Sequence, residues 1–158
     1  NFSIERLNNE MSVGLTGAMI CTRVFGAEMK KHRKGSIVNV SSDLGLIAPN
    51  QSLYATNESD SKNKKPVSYS IIKHSLLGFT RHMSTYWSKY SVRCNALLPG
   101  GIRQSQDSQF IKKIEKLIPL GRMANENEYM GSIIYLLSDA SSYMTGSLLI
   151  VDGGRTAW

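Results

Sequence analysis

The chain has 158 residues, of which 41% are hydrophobic and 20% charged, with a formal net charge of +7. These values predict one globular domain with a buried core rather than a disordered chain. No apolar run reaches the roughly 18 residues of a membrane-spanning helix, and no basic and apolar leader opens the sequence. We therefore expect a cytoplasmic protein with no membrane partner, and a first residue Asn1 indicates a fragment of a longer protein.

The excess of positive charge does not indicate a nucleic-acid partner. The lysines concentrate at residues 30–34 and 62–65, at the end of a predicted helix and in a predicted loop. Only isolated aromatic residues lie near them, so no platform for base stacking is predicted. Cys21 and Cys94 have no Cys or His at metal-ligand spacing, and the three histidines form no ligand pair, so we expect free thiols and no metal site.

The first half of the chain reads as helix, strand, long loop and helix. Apolar residues recur at helical spacing over residues 4–31, although Gly14 and Gly17 weaken that helix. Gly35-Ser-Ile-Val-Asn-Val-Ser is short and β-branched, which is typical of a strand buried on both faces of a parallel sheet. Residues 43–66 read as a loop with a polar middle, and residues 67–89 as a second long helix.

The second half continues the alternation of helix and strand. Residues 91–98 form the next predicted strand, which Pro99-Gly100-Gly101 stops. Helices follow over residues 108–117 and 126–138, the latter opened by a capping box of Asn125 and Glu128. Residues 147–151 are the last strand. This order predicts an α/β protein with a parallel sheet covered by helices, in one partial domain over residues 1–158.

The candidate active site is built around Tyr69 and Lys73. Residues four apart on a helix share a face, so the two side chains should lie together. A phenol titrates near 10, and a neighbouring ammonium favours the phenolate, so Tyr69 becomes able to exchange a proton with a carbonyl or hydroxyl. Ser42, at the end of the first strand, can donate a hydrogen bond to the same substrate oxygen. The spacing of Tyr69 and Lys73 alone is a weak signal of an active site. The order of these motifs along the chain is a much rarer coincidence, and it carries the prediction.

Five segments together strongly resemble the short-chain dehydrogenase/reductase family. They are Gly35-Ser-Ile-Val-Asn-Val-Ser-Ser, Tyr69-x-x-x-Lys73, Val92-Arg-Cys-Asn-Ala-Leu-Leu-Pro-Gly, Pro119-Leu-Gly-Arg and Val151-Asp-Gly-Gly. The resemblance extends over essentially the whole chain, but only over the C-terminal part of the family's domain. It implies a Rossmann-like doubly wound parallel sheet whose N-terminal βαβ units, with the glycine-rich phosphate loop, are absent.

The resemblance also implies site residues and a cofactor. Ser42, Tyr69 and Lys73 would be catalytic, with Tyr69 and Lys73 also binding the cofactor and Lys73 holding the nicotinamide ribose. The segment Pro99, Gly100, Gly101 and Ile102 would face the nicotinamide. The cofactor would be NAD or NADP, bound only when the missing N-terminal part is present, and the isolated fragment would be inactive.

Three positions depart from the family's pattern. Gly14 stands where the family has an Asn that supports a water-mediated proton relay from the catalytic Lys. The loop between Ser42 and Tyr69 is longer than usual, with an insertion over residues 53–66 that either shapes the substrate entrance or is a surface excursion. Gln104 replaces a Thr that contacts the carboxamide of the cofactor.

Several functions remain open at this point. The sequence is most similar to members found in bacterial surface-sugar and flagellin-glycan pathways, but its motifs also fit 3-oxoacyl carrier-protein reductases and sugar-alcohol dehydrogenases. The alternative class is a truncated or inactive member that acts as an interaction module. The family also implies a homodimer or homotetramer formed by the two long helices, with Phe79, Tyr86 and Trp87 as subunit contacts.

Overall fold

The structure, a computed structural model, describes residues 3–54 and 64–158, and within them three strands form one parallel sheet in the order β1-β2-β3. The strands are β1 (Gly35–Val40), β2 (Val92–Pro99) and β3 (Leu148–Val151). The α-helices are α1 (Ile4–Met11), α2 (Gly17–His32), α3 (Val67–Trp87), α4 (Ser108–Glu115) and α5 (Met130–Leu137). The prediction of a parallel α/β sheet is confirmed.

Helices cover both faces of the central strand β2. Cys94, Ala96 and Leu98 alternate along it and contact α3 side chains such as Leu77. Arg93 points to the opposite face, where its guanidinium donates hydrogen bonds to carbonyl oxygens at the end of α5, including that of Leu136. Because side chains of a strand alternate between faces, this arrangement is the doubly wound architecture that the resemblance implied.

Strand β1 is less buried than its composition predicted. Asn39 is buried, but Val40 is half-exposed and the other residues of the strand are only partly covered. In the described part of the chain β2 pairs with one edge of β1, and no strand pairs with the other edge. The prediction of a strand buried on both faces is therefore wrong for β1, because burial in a parallel sheet also requires a neighbouring strand and its helix.

The first predicted helix is interrupted. A π-helical turn at Ser12–Thr16 separates α1 from α2, so residues 4–31 do not form one regular α-helix. Such turns occur as single wide turns within helices, and Gly14 inside this turn and Gly17 directly after it weaken the regular form. The predicted helix at residues 126–138 likewise starts with a 3-10 turn, Glu126–Tyr129, before α5 begins.

The predicted capping box of Asn125 and Glu128, at the 3-10 turn before α5, is present. The Asn125 amide donates to the Glu128 carboxylate at 2.7 Å, and Arg122 donates two further hydrogen bonds to the same carboxylate. The hydrogen bonds from Arg122, followed by that from the Asn125 amide, lower the pKa of Glu128 to about 2.

Trp87 belongs to the core, and its assignment as a subunit contact is wrong. Its side chain is buried with Met83, Val92 and Cys94. Gly26 of α2 lets the indole approach, because a Cβ added at Gly26 would lie 1.9 Å from Cζ3 of Trp87. Tyr86, by contrast, is exposed on the surface of α3, and Phe79 is partly buried.

Among the described residues, no helix combines the length and apolarity needed to cross a membrane. The same residues hold no cluster of three or more His, Cys, Asp or Glu side chains placed to bind a metal ion. Both cysteines are free, Cys21 on the surface and Cys94 inside.

Candidate active site

Two hydrogen bonds fix Lys73 between α3 and the end of β1. Its ammonium donates to the Val40 carbonyl at 3.0 Å, and its own carbonyl accepts from the Ser41 hydroxyl at 2.7 Å. Gly45 permits this contact, because a Cβ there would lie 2.5 Å from the Ser41 oxygen and 3.0 Å from the Lys73 carbonyl oxygen. The turn after β1 is therefore held directly against the helix that carries Lys73.

Tyr69 lies one turn before Lys73 on α3, and the Lys73 ammonium lies 5.6 Å from the centre of its ring. A second ammonium is closer, since that of Lys65 lies 3.9 Å from the same ring centre. Burial, and then repulsion from Lys65, lower the pKa of Lys73. The structure thus brings Tyr69 and Lys73 together and adds a cation that the sequence motifs did not indicate.

The Ser42 hydroxyl is already used within the protein. It donates to Asp43 Oδ1 at 2.7 Å and accepts a hydrogen bond from the Leu44 amide at 3.2 Å. Ser42 is itself buried. Its predicted role as a donor to a substrate oxygen therefore needs its proton to turn away from Asp43, and this role stays a prediction.

A buried ion pair supports this turn from the far end of the chain. Asp43 Oδ2 accepts from Arg155 Nη1 at 2.7 Å, and the two side chains are 3% and 6% exposed. The Asp43 carboxylate thus links Ser42 on one side to the C-terminal segment on the other. Neither partner was singled out from the sequence, because nothing in a separation of 112 residues indicates a contact.

The segment Pro99 to Ile102 lies beside this turn at the carboxyl end of the sheet. Val40 pairs with Leu97, and Pro99 pairs with Val151, so the ends of the parallel strands meet at one edge. Gly100 lies against the chain after β3, because a Cβ there would be 2.9 Å from the Cα of Asp152. The carbonyl of Gly100 accepts from the Tyr129 hydroxyl at 3.0 Å.

The rest of the segment is held as firmly. Gly101 and Arg103 exchange backbone hydrogen bonds with Ala124, so Ile102 forms an isolated bridge to it. Gln106 then accepts from the Gln104 amide and donates to the Ile102 carbonyl, both at 2.7 Å. Tyr129 and Gln106 are support residues that sequence reasoning missed, since neither belongs to a recognisable motif.

The residues present fit a nicotinamide nucleoside. An ammonium has three protons, and in the described residues Lys73 donates one of them, to Val40, so it can also bind a ribose diol. The segment Pro99 to Ile102 occupies the edge outside the carboxyl ends of parallel strands, where α/β sheets bind ligands.

Position 14, where the family's pattern has an Asn, leaves no room for a side chain in this structure. It lies in the π-turn at Ser12–Thr16, where an added Cβ would be 2.9 Å from Cγ2 of Ile72 on α3. Ile72 is buried, so an Asn at this position would require Ile72 to move. The absence of the amide is thus coupled to close packing of the first helices on α3.

The longer loop is described only at its two ends. The predicted insertion at residues 53–66 includes residues 55–63, which lie outside the described residues. The ends line a cleft of about 540 Å³ facing α4, with Tyr54 and Phe110 as neighbouring aromatic walls whose ring centres are 5.5 Å apart. The sequence predicts that the insertion either shapes the substrate entrance or is a surface excursion, and both alternatives stay predictions.

A protein-family model matches almost the whole chain. Residues 1–156 match a short-chain dehydrogenase model described as enoyl-(acyl carrier protein) reductase. A 2,5-dichloro-2,5-cyclohexadiene-1,4-diol dehydrogenase of Sphingobium indicum is 31% identical over 98% of the chain and 60% of the relative. The post-translational flagellin modification protein A of Campylobacter coli is 30% identical over 96% of the chain and 58% of the relative.

Solved structures agree with the fold along the full chain. A short-chain dehydrogenase of Leptospira borgpetersenii with bound NAD+ is 29% identical, with a TM-score of 0.89, over 99% of this chain and 58% of that one. A protein of Beutenbergia cavernae, described as a putative NAD(P)-dependent gluconate 5-dehydrogenase with NADP at low occupancy, is 30% identical with a TM-score of 0.87, over 100% of this chain and 60% of that one. The chain therefore spans about 60% of the length of these proteins.

Proposed function

The chain belongs to the short-chain dehydrogenase/reductase family, and from this premise we propose that the complete protein is an NAD(P)-dependent oxidoreductase. Its reaction is hydride transfer between the nicotinamide and the carbonyl or secondary-alcohol carbon of a sugar-like or other small hydroxylated substrate. The relatives named above for a cyclic diol and for gluconate support a substrate of this kind.

One observation carries the proposal. The ammonium of Lys73 is held beside the Tyr69 ring by the Val40 carbonyl, at the end of the sheet where Ser42 and Pro99 also lie. A cation beside a phenol can stabilise the negative charge that develops on the phenol oxygen as a proton moves. A lysine that merely shared a solvated helix face with Tyr69 would not be anchored through both its ammonium and its carbonyl, as Lys73 is.

The protein's own groups then divide the work. In the oxidation direction Tyr69 accepts the proton of the substrate hydroxyl, and in the reduction direction it donates a proton to the carbonyl oxygen. Ser42 orients that oxygen once its hydroxyl turns from Asp43. Lys73 holds the ribose and stabilises the phenolate form of Tyr69. When bound, NAD or NADP supplies or removes the hydride.

Cofactor binding is assigned to Tyr69, Lys73 and the segment Pro99, Gly100, Gly101 and Ile102. Because these residues contact only the nicotinamide end of a dinucleotide, we expect the chain without additional family segments to bind the cofactor weakly. A truncated or inactive interaction module is the second candidate, and the packing of Gly14 on Ile72, which leaves no amide for the usual relay, favours it. No comparable observation favours a 3-oxoacyl carrier-protein reductase.

We also propose that the protein assembles as a homodimer or homotetramer in the cytoplasm. A cleft between α2 and α3 is lined mainly by apolar side chains, and Met19, Ile20 and Tyr86 are about half-exposed there. Apolar side chains exposed side by side on two helices are typical of a subunit interface. Free cysteines on and inside the described chain suit a reducing compartment.

The test is Tyr69→Phe in the complete protein, assayed by nicotinamide absorbance and by fluorescence titration of the cofactor. We expect turnover to fall at least about 1,000-fold while cofactor affinity changes little, because only the exchangeable proton is removed. Tyr143→Phe, which removes a fully exposed hydroxyl, is the matched control. Near-normal turnover of Tyr69→Phe would refute the catalytic assignment, and saturable cofactor binding with no turnover of any tested alcohol would favour the inactive module.

A further inference from the structure

Among the described residues Lys65 is the cation nearest the Tyr69 ring, and the motifs do not account for it. Its ammonium lies 3.9 Å from the centre of the Tyr69 ring and 6.0 Å from that of the Tyr54 ring. Within the described residues no carboxylate or carbonyl accepts a hydrogen bond from it, and Asp43 acts on it only at a distance. A partly buried ammonium favours an anionic partner, because burial of its charge costs least when the charge is compensated.

The backbone of Lys65 is held in place by the side chain of Gln51. The side-chain amide of Gln51 donates to the Lys65 carbonyl at 3.1 Å and accepts from the Lys65 amide at 3.0 Å. This paired contact ties the two ends of the long loop together. The backbone from which the Lys65 side chain extends is therefore anchored by a specific contact.

Lys65 also lines the cleft between the loop and α4. The walls are largely apolar, with Leu53, Tyr54, Pro66 and Phe110, and Lys64 and Lys113 line the cleft as well. One acidic side chain, Asp107, lines the cleft as well, but its carboxylate accepts the first amides of α4. The cleft thus combines apolar walls with a net positive charge next to the catalytic ring.

We propose that Lys65 binds a carboxylate of the substrate, so that the substrate is a hydroxy or keto acid whose reacting carbon lies over Tyr69. This inference rests on the proposed function. The Lys65 ammonium, 3.9 Å from the centre of the Tyr69 ring, can hold one singly charged carboxylate beside that ring. The hydrocarbon part of the acid lies along the apolar wall that the paired Tyr54 and Phe110 rings form, and the carboxylate on Lys65 sets which carbon reaches Tyr69.

The experiment compares two substrates of equal length, D-gluconate and D-glucitol, which differ by a carboxylate in place of a CH₂OH group. The complete protein, Lys65→Met and Lys65→Arg are assayed for nicotinamide reduction with each substrate. We expect gluconate to be preferred, and Lys65→Met to lower kcat/KM for gluconate about 10- to 100-fold, as for a lost hydrogen bond to a charged group. The loss for glucitol, which lacks the carboxylate, should be at least about 5-fold smaller than the loss for gluconate, and Lys65→Arg should retain most of the preference.

Lys112→Met is the control, because it makes the same change of charge on the exposed side of α4, outside the cleft. An equal loss on both substrates in Lys65→Met would overturn the proposal, since Lys65 would then act on Tyr69 itself. Preference for glucitol would also overturn it while leaving the oxidoreductase assignment intact.

A protein inactive on both substrates would count against the proposed function, and calorimetric titration with gluconate then decides about Lys65. Binding that is lost in Lys65→Met and kept in Lys112→Met supports the site. Binding that is absent or equal in the two variants refutes it.

Discussion

Arg155→Met should destabilise the protein through the active-site turn. The side chains of Arg155 and Asp43 are 6% and 3% exposed and are joined at 2.7 Å. Removing one partner of such a buried pair leaves an uncompensated charge and costs about 3–5 kcal/mol. Asp43 keeps its hydrogen bonds from Ser42 and the Leu44 amide, so we expect the lower end, about 3 kcal/mol. For a domain of this size that loss lowers Tm by roughly 6–12 °C.

The assay is urea denaturation followed by tryptophan fluorescence, since Trp87 is in the core. A double-mutant cycle with Asp43→Asn separates the pair from general packing, because the double variant contains neither charge. We expect it to be at least about 2 kcal/mol more stable than the sum of the single losses predicts. Arg155→Lys, which keeps the charge, should lose clearly less than Arg155→Met.

Additive losses in the cycle would refute the reasoning, because they would mean that Arg155 and Asp43 do not interact appreciably. A loss below about 0.5 kcal/mol in Arg155→Met, the usual range for surface substitutions, would refute the burial of the pair itself.

Two further predictions use matched positions within the chain. Gly26→Ala should lower the free energy of unfolding by about 3 kcal/mol, because the added Cβ would meet Trp87. Gly78→Ala, whose Cβ would have no atom within 4 Å, should raise it by about 0.5–1 kcal/mol. Equal effects of the two variants in urea denaturation would contradict this. In the native protein at pH 8 a thiol reagent should modify exposed Cys21 quickly and Cys94 only on unfolding, since burial raises the pKa of Cys94 to about 12; similar rates would show that Cys94 is accessible.

Local patterns determined much of the fold. Periodic apolar residues and β-branched runs predicted each strand within about one residue, because Gly, Ser, Pro or Asp stands at the ends of these strands. The placement of Tyr69 and Lys73 on one helix face followed from helix geometry alone. The π-turn at Ser12–Thr16 could not be predicted, because it depends on how Gly14 fits against Ile72, a residue of another helix.

The sequence by itself determined the family, the parallel sheet and the order of Ser42, Tyr69 and Lys73 along the chain, since each depends on short segments. Tertiary structure alone decided what surrounds them. It engaged Ser42 with Asp43, joined Asp43 to Arg155, and placed the Lys65 ammonium on the Tyr69 ring. The Asp43–Arg155 pair joins side chains that are 112 residues apart. The energies of all three contacts depend on burial and distance, which exist only once the chain has folded.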